Sequence, residues 1–240
     1  MKIFLAGATG ATGRLLAELL LNRGHEVVAV VRSADRLPES VRKHPLLKTI
    51  QASILELSDM QLAELTMDCD AIVSCLGHNL SWKGVLGPPY RLVTKVAQGL
   101  LRASTNDDRK TPARFILMSS AGIRNPDQGE QISFAQQLVI QLLRLFIPPH
   151  ADNEKAAALL RNTVGPHSGT IEWVAVRPDT LIDDPDISPY SLHRSPTRSA
   201  IYHAGKTSRI NVASFMADLI EQEDLWSQWK GKMPVIYNKQ

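Results

Sequence analysis

Lys2-Ile3-Phe4-Leu5-Ala6-Gly7-Ala8-Thr9-Gly10-Ala11-Thr12-Gly13-Arg14 decides the fold of this chain. Ile3 to Ala6 is a short apolar run, which suits a parallel strand buried on both faces. From Arg14 to Arg23 leucines and alanines recur at helical spacing, and Gly24 supplies the stop. Between strand and helix stand Gly7, Gly10 and Gly13. That spacing also fits a merely tight turn. After a strand and before a helix, however, such glycines let backbone N–H groups approach a pyrophosphate at the helix N-terminus.

Working outward, the same alternation repeats. Apolar runs predict strands over 26–32, 47–52, 70–76, 114–118 and 171–176, the last closed by Arg177-Pro178. Helical patterns lie between them: Ser58 to Thr66 with a Ser58 cap, a helix opened by Pro88 and Pro89 and running to about Ser104, Phe134 to Phe146, and Asp152 to Asn162. Strand and helix in alternation predict an α/β chain with a doubly wound parallel sheet, a Rossmann fold. With no repeat or linker, residues 1–240 read as a single domain, in which the irregular stretch 178–210 contributes a small substrate-side region.

Composition narrows the class. The chain has 240 residues, 44% hydrophobic and 21% charged, which excludes a disordered or fibrous protein. A net charge of +3, scattered along the chain, does not point to nucleic acid. No apolar stretch is long enough to span a bilayer and no secretory signal is apparent, so a cytoplasmic protein is expected. Cys69 and Cys75 cannot build a disulfide framework and lack zinc-site spacing. They read as buried, inert thiols, and no metal is expected.

Where a dinucleotide fold reading a free ribose 2′-hydroxyl carries an acid at the end of the second strand, this chain has Arg32. Arg14 follows the glycine loop and Arg36 stands one turn past Arg32. Guanidinium groups there suit a 2′-phosphate, so NADP(H) is the expected cofactor, although Arg14 and Arg36 also fit as solvated helix residues.

With these residues in view, the chain resembles an atypical short-chain dehydrogenase/reductase. More narrowly, it is similar to the NAD(P)H-binding, NmrA-like group that includes flavin reductase/biliverdin-IXβ reductase. The resemblance rests on Gly-Ala-Thr-Gly-Ala-Thr-Gly-Arg (7–14), Val-Val-Arg-Ser-Ala-Asp-Arg-Leu (30–37), Ser-Cys-Leu-Gly-His (74–78), Ser-Ser-Ala-Gly (119–122), Glu-Lys-Ala-Ala-Ala-Leu-Leu-Arg (154–161) and Val-Arg-Pro (176–178). It implies that Gly7, Ala8, Thr9, Gly10, Ala11, Thr12 and Gly13 hold the pyrophosphate, and that Arg32 and Arg36 hold the 2′-phosphate. It further implies that Leu76, Gly77 and His78 lie along the ribose and nicotinamide. Ser119 and Ser120 would then face the nicotinamide ring, with Pro178 to Leu181 closing over its amide. Ser53 stands where relatives carry an adenine-side Asp, leaving Ile54 to pack on the ring. Asn211 stands where the family usually has Asp.

The superfamily's usual Tyr-x-x-x-Lys is missing, because Ala151 precedes Lys155 by four positions and His150 is five away. A phenol acid is needed for an alkoxide. An electron-poor acceptor such as a flavin or quinone can take hydride without one, and the protein then supplies binding and orientation. Ser119, Ser120 and Lys155 are the candidate catalytic residues. The blander readings are backbone satisfaction for the serines and a solvated lysine. Tyr190 and Tyr202 are candidates for the missing acid, and His193, Arg194 and Arg198 for attracting an anionic acceptor. The apolar segment 136–147 reads as core helix, as a lid, or as a dimer or membrane-surface contact. Three readings stay open: an NADPH-dependent oxidoreductase acting on a small-molecule acceptor, an NmrA-type redox sensor without turnover, and a sugar-nucleotide epimerase-like enzyme. A monomer or weak homodimer is expected.

Overall fold

The computed structural model describes residues 1–77, 90–105, 111–130, 148–164, 169–199 and 203–239. Its strands are β1 (Lys2–Ala6), β2 (Glu26–Val31), β3 (Leu47–Gln51), β4 (Ala71–Ser74), β5 (Ala113–Met118), β6 (Ile171–Pro178), β7 (Thr180–Ile182), β8 (Tyr190–His193), β9 (Lys206–Ser208) and β10 (Val235–Asn238). Its α-helices are α1 (Ala11–Asn22), α2 (Glu39–Arg42), α3 (Asp59–Thr66), α4 (Leu92–Thr105), α5 (Pro148–Leu159), α6 (Arg209–Glu221) and α7 (Glu223–Trp229).

The main sheet runs β3-β2-β1-β4-β5-β6-β10-β8, parallel except where β8 pairs antiparallel with β10. Successive side chains of a strand point to opposite faces, and here both faces are buried. Ile3 and Leu5, Val27 and Ala29, and Val174 and Val176 join one core layer with α1, α6 and α7. Phe4 and Ala6, Val28 and Val30, and Trp173 and Ala175 join the other, with α3, α4 and α5. That two-sided burial is why the strands read as unbroken apolar runs. A doubly wound sheet in one domain therefore matches the expectation, and its strand order reverses between β1 and β4. Ligand sites in open α/β sheets lie outside the strand C-termini at such a reversal.

Several details differ from the sequence reading. The stretch 178–210 is not simply irregular: β7 and β9 form a parallel ribbon, and β8 joins the main sheet. β10 follows Pro234 as a strand between β6 and β8. α1 begins at Ala11 rather than Arg14, because the loop itself supplies the first turn. α5 begins at Pro148 and continues into a π-helical turn over Leu160–Val164. The expected Ser58 cap is present as a capping box, with Gln61 N–H donating to Ser58 Oγ and Ser58 N–H to Gln61 Oε1. Pro88, Pro89, His78, Tyr202 and the segment 136–147 lie outside the described residues.

The C-terminal half is closed by a buried amide. Asn211, with no exposed surface, donates through Nδ2 to Ser188 Oγ at 2.9 Å and to Asn238 Oδ1 at 2.8 Å, while its Oδ1 accepts from Ser188 N–H. An aspartate has no donors for those contacts. Asn211→Asp is therefore expected to destabilise the protein by about 1–3 kcal/mol, the scale of a buried polar group left unpaired. Thermal or urea unfolding of the variant tests this; an unchanged midpoint would show that the amide donors contribute nothing.

Candidate functional site

At the C-terminal end of β1 the chain turns at Gly7, whose φ is +88°. A Cβ there would stand 2.8 Å from the Cys75 carbonyl carbon, so the turn is pressed against the end of β4. A Cβ on Gly13 would overlap the Gly7 carbonyl oxygen. Gly10 N–H donates to Gly7 O at 2.9 Å and Gly10 caps α1 in extended conformation, with no side-chain cap and no acid in the first turn. By contrast α3 is capped by Ser58, α6 by Ser208, and α4 by a carboxylate from another helix. The first-turn N–H groups of α1 thus lack a side-chain acceptor, which suits an incoming anion.

Charge beside this loop is sorted. Arg32 directly follows β2, Arg36 ends a 3₁₀ turn over Ala34–Arg36, and Arg14 lies in the first turns of α1; all are exposed. None makes an ion pair among the described residues. The acids of the same segment are engaged, Asp35 by Arg42 at 2.7 Å and Glu39 by Lys43 at 2.5 Å. Ser53 and Ile54 follow β3, and Ile54 packs against the α3–α5 core layer. Leu76 packs against the same layer, and among the described residues nothing lies within 4 Å of where a Gly77 Cβ would be. Burial pushes the Cys75 thiol up to about 12, consistent with an inert side chain.

Across the crevice, Ser119 and Ser120 leave β5 and are tied to β6. Ser119 N–H donates to Val176 O at 2.7 Å, and Ala121 N–H to Pro178 O at 2.8 Å. Ser120 Oγ accepts from Gly122 N–H at 3.2 Å, so this serine does satisfy backbone, while its own proton stays available. Ser119 Oγ is buried and meets no hydrogen-bond partner among the described residues. Lys155 is exposed on α5. That helix is fastened by Asp152, which is 1% exposed and accepts from Val93 N–H at 2.7 Å and Thr94 N–H at 3.0 Å at the start of α4. Leu181, in β7, packs on the α1–α6 core layer.

Tyr190 is not placed to replace the missing acid. Its hydroxyl donates to Asp218 Oδ2 at 3.4 Å, and its ring meets Phe215, with centroids 6.2 Å apart. Burial, then Asp218, pushes its pKa up to about 12. His193 Nε2 lies 3.0 Å from Ser191 Oγ and its ring packs on Tyr237, whereas Arg194 and Arg198 are exposed. Among the described residues no group of His, Cys, Asp and Glu could hold a metal ion, and no helix is long and apolar enough to cross a membrane.

The glycine turn at the β1–β4 reversal, opening an uncapped helix, has its counterpart in known proteins: residues 7–223 match the NAD(P)H-binding family. The chain belongs to that family. An uncharacterized chloroplastic protein of Arabidopsis thaliana is 26% identical over 223 residues, which span 93% of this chain and 73% of that protein. A short-chain dehydrogenase/reductase from Veillonella parvula, solved in complex with NADP, superposes with a TM-score of 0.69 at 18% identity, covering 99% of this chain and 94% of its own. A candidate NADH-flavin reductase from Streptococcus pneumoniae does so with a TM-score of 0.69 at 18% identity over the full length of both chains. At such identities the two structures share the fold with this chain.

Two predictions come from this geometry. Gly13→Ala should abolish dinucleotide binding and lower stability, whereas Gly77→Ala should fold normally; dinucleotide fluorescence titration beside thermal melts distinguishes them. A phenol raised in the folded state adds stability that is present below its unfolded value, near 10, and is lost as pH rises through about 12. The stability difference between the unsubstituted protein and Tyr190→Phe should accordingly shrink between pH 10 and 12, which unfolding curves at alkaline pH would register.

Proposed function

We propose that this NAD(P)H-binding protein is an NADP(H)-dependent oxidoreductase that passes hydride to an aromatic or electron-poor acceptor: a flavin, quinone, tetrapyrrole or ketone. The observation that carries the reading is the loop Gly7–Gly13 opening an uncapped α1, beside the exposed Arg14, Arg32 and Arg36, which no acid among the described residues engages. In this reading the loop and the first turn of α1 hold the pyrophosphate. Arg32 and Arg36, with Arg14, hold the 2′-phosphate as planar, multidentate partners. Ile54 packs on the adenine beside Ser53, and Leu76, Gly77 and His78 follow the ribose toward the nicotinamide.

When bound, the reduced nicotinamide supplies the hydride. The protein's own contribution is orientation and exclusion of competing reactions. The orphaned Ser119 Oγ at the end of β5 fits a group that accepts or donates a hydrogen bond there. Ser120, already accepting from Gly122, keeps a proton to donate to the acceptor or the carboxamide. Lys155 serves ribose or acceptor, Pro178 and Leu181 close over the amide, and the region 178–210 forms the acceptor side. With no phenol four positions before Lys155 and Tyr190 engaged by Asp218, the acceptor's proton comes from Tyr202 or from solvent.

A second reading, an NmrA-type sensor that binds dinucleotide without turnover, is favoured by that same missing phenol. It calls for comparable affinity for oxidised and reduced cofactor. The deciding assay follows NADPH oxidation by absorbance against FMN, FAD, quinones, biliverdin and small ketones, with NADH in parallel. Turnover with one acceptor class, faster with NADPH, supports the oxidoreductase; tight binding with no turnover supports the sensor. Arg32→Ala should weaken NADPH binding by about 1.5–3 kcal/mol, roughly 10- to 150-fold, and leave NADH nearly unchanged. Equal losses for the two cofactors would sink the 2′-phosphate assignment.

A further inference from the structure

Arg177 lies in β6 with no exposed surface, and its partner Glu130 has a side chain only 7% exposed. An arginine has five N–H donors, and four hydrogen bonds from the guanidinium are made here. Nε donates to Met233 O at 2.7 Å, Nη1 to Ile123 O at 2.9 Å and Glu130 Oε2 at 3.2 Å, and Nη2 to Arg194 O at 2.9 Å, with Glu130 Oε1 also 2.9 Å away. The three carbonyls belong to three separate segments: the turn after β5, the turn after β8, and the approach to β10. Glu130 Oε2 in addition accepts from Asn125 N–H at 2.7 Å.

The turn after β5 is the one that carries Ser119 and Ser120. Its near end hangs on the backbone of Val176 and Pro178, the residues on either side of Arg177. Its far end returns to the same place, because Ile123 N–H donates to Ser120 O at 3.1 Å and Ile123 O accepts from the guanidinium. The side chain of Arg177 therefore joins the serine turn to the Arg194 turn, within the 178–210 region proposed to face the acceptor. A buried ion pair is a weak source of stability, since apolar replacements of similar volume are often neutral or stabilising. What an apolar residue cannot do is fix three carbonyls from different segments at one separation.

We infer that Arg177, held by Glu130, is a positioning residue that sets the serine turn and the Arg194 turn at the spacing the hydride acceptor requires. This inference rests on the proposed oxidoreductase function. It assigns Arg177 no contact with the acceptor and no part in holding the dinucleotide, whose phosphate-side residues follow β1 and β2 or lie in α1.

The test compares Arg177→Lys and the milder Glu130→Gln with the unsubstituted protein. Steady-state kinetics would use NADPH and whichever acceptor from the panel turns over fastest, beside fluorescence titration of NADPH and thermal melts. Lysine keeps the charge but offers three donors instead of a planar five. A displacement near 1 Å at a reacting centre costs about 100-fold, so kcat/KM for the acceptor should fall about 10- to 100-fold in Arg177→Lys, and less in Glu130→Gln. The NADPH Kd should stay within about two-fold in both. A folded Arg177→Lys protein with unchanged acceptor kcat/KM would overturn the inference, as would parallel losses in NADPH affinity and acceptor turnover, which mark a general loosening of the fold. If the unsubstituted protein turns over no acceptor, the proposed function fails and the inference fails with it.

Discussion

Gly7 turns the chain at a φ of +88° against the Cys75 carbonyl, and Gly13 rests on the carbonyl of Gly7. Backbone meets backbone at both points with no room for a methyl group. This packing brings the start of α1 down onto the ends of β1 and β4, where the strand order reverses. The crevice, the uncapped first-turn N–H groups and the placement of Arg14 all follow from that close approach. A side chain at either position would lift the helix away from the sheet, and the donors with it.

The cofactor half of the molecule was legible in the sequence because its signals are local. A strand, a glycine loop and a helix lie within the first 22 residues, and the reading of Arg32 needed only the end of the next strand. Runs such as Val27 to Val31 are buried on both faces, so their uniform apolarity is a direct image of the fold. The stretch from β7 to β10 was less readable. β7 and β9 have three residues each and β8 and β10 four, too short to display a period of two. Val235 to Tyr237 after Pro234 did carry an apolar signal that marks β10.

Long-range contacts were missed for a related reason. Arg177 was visible as part of Val-Arg-Pro, but nothing local shows that its acceptors are 17 to 56 positions away. Asp152 likewise caps a helix by accepting from Val93 N–H, 59 residues upstream, so no capping spacing announces it. Tyr190 invites an assignment as an acid by type and region alone, and its attachment to Asp218 appears only when α6 is folded against the sheet. Positions that act through chain neighbours can be read from a sequence. Positions that act by joining distant segments need the tertiary structure.

The depth at which Cys75 is held bears on chemical durability. Electrophiles add to thiolates and permanently alkylate an ionised, accessible cysteine. With burial pushing its thiol up to about 12, Cys75 stays protonated at neutral pH. Its neighbours in the β1–β4 cleft therefore stand next to a sulfur that behaves as a small hydrocarbon. A thiol buried at this point stays out of reach of electrophiles in solution.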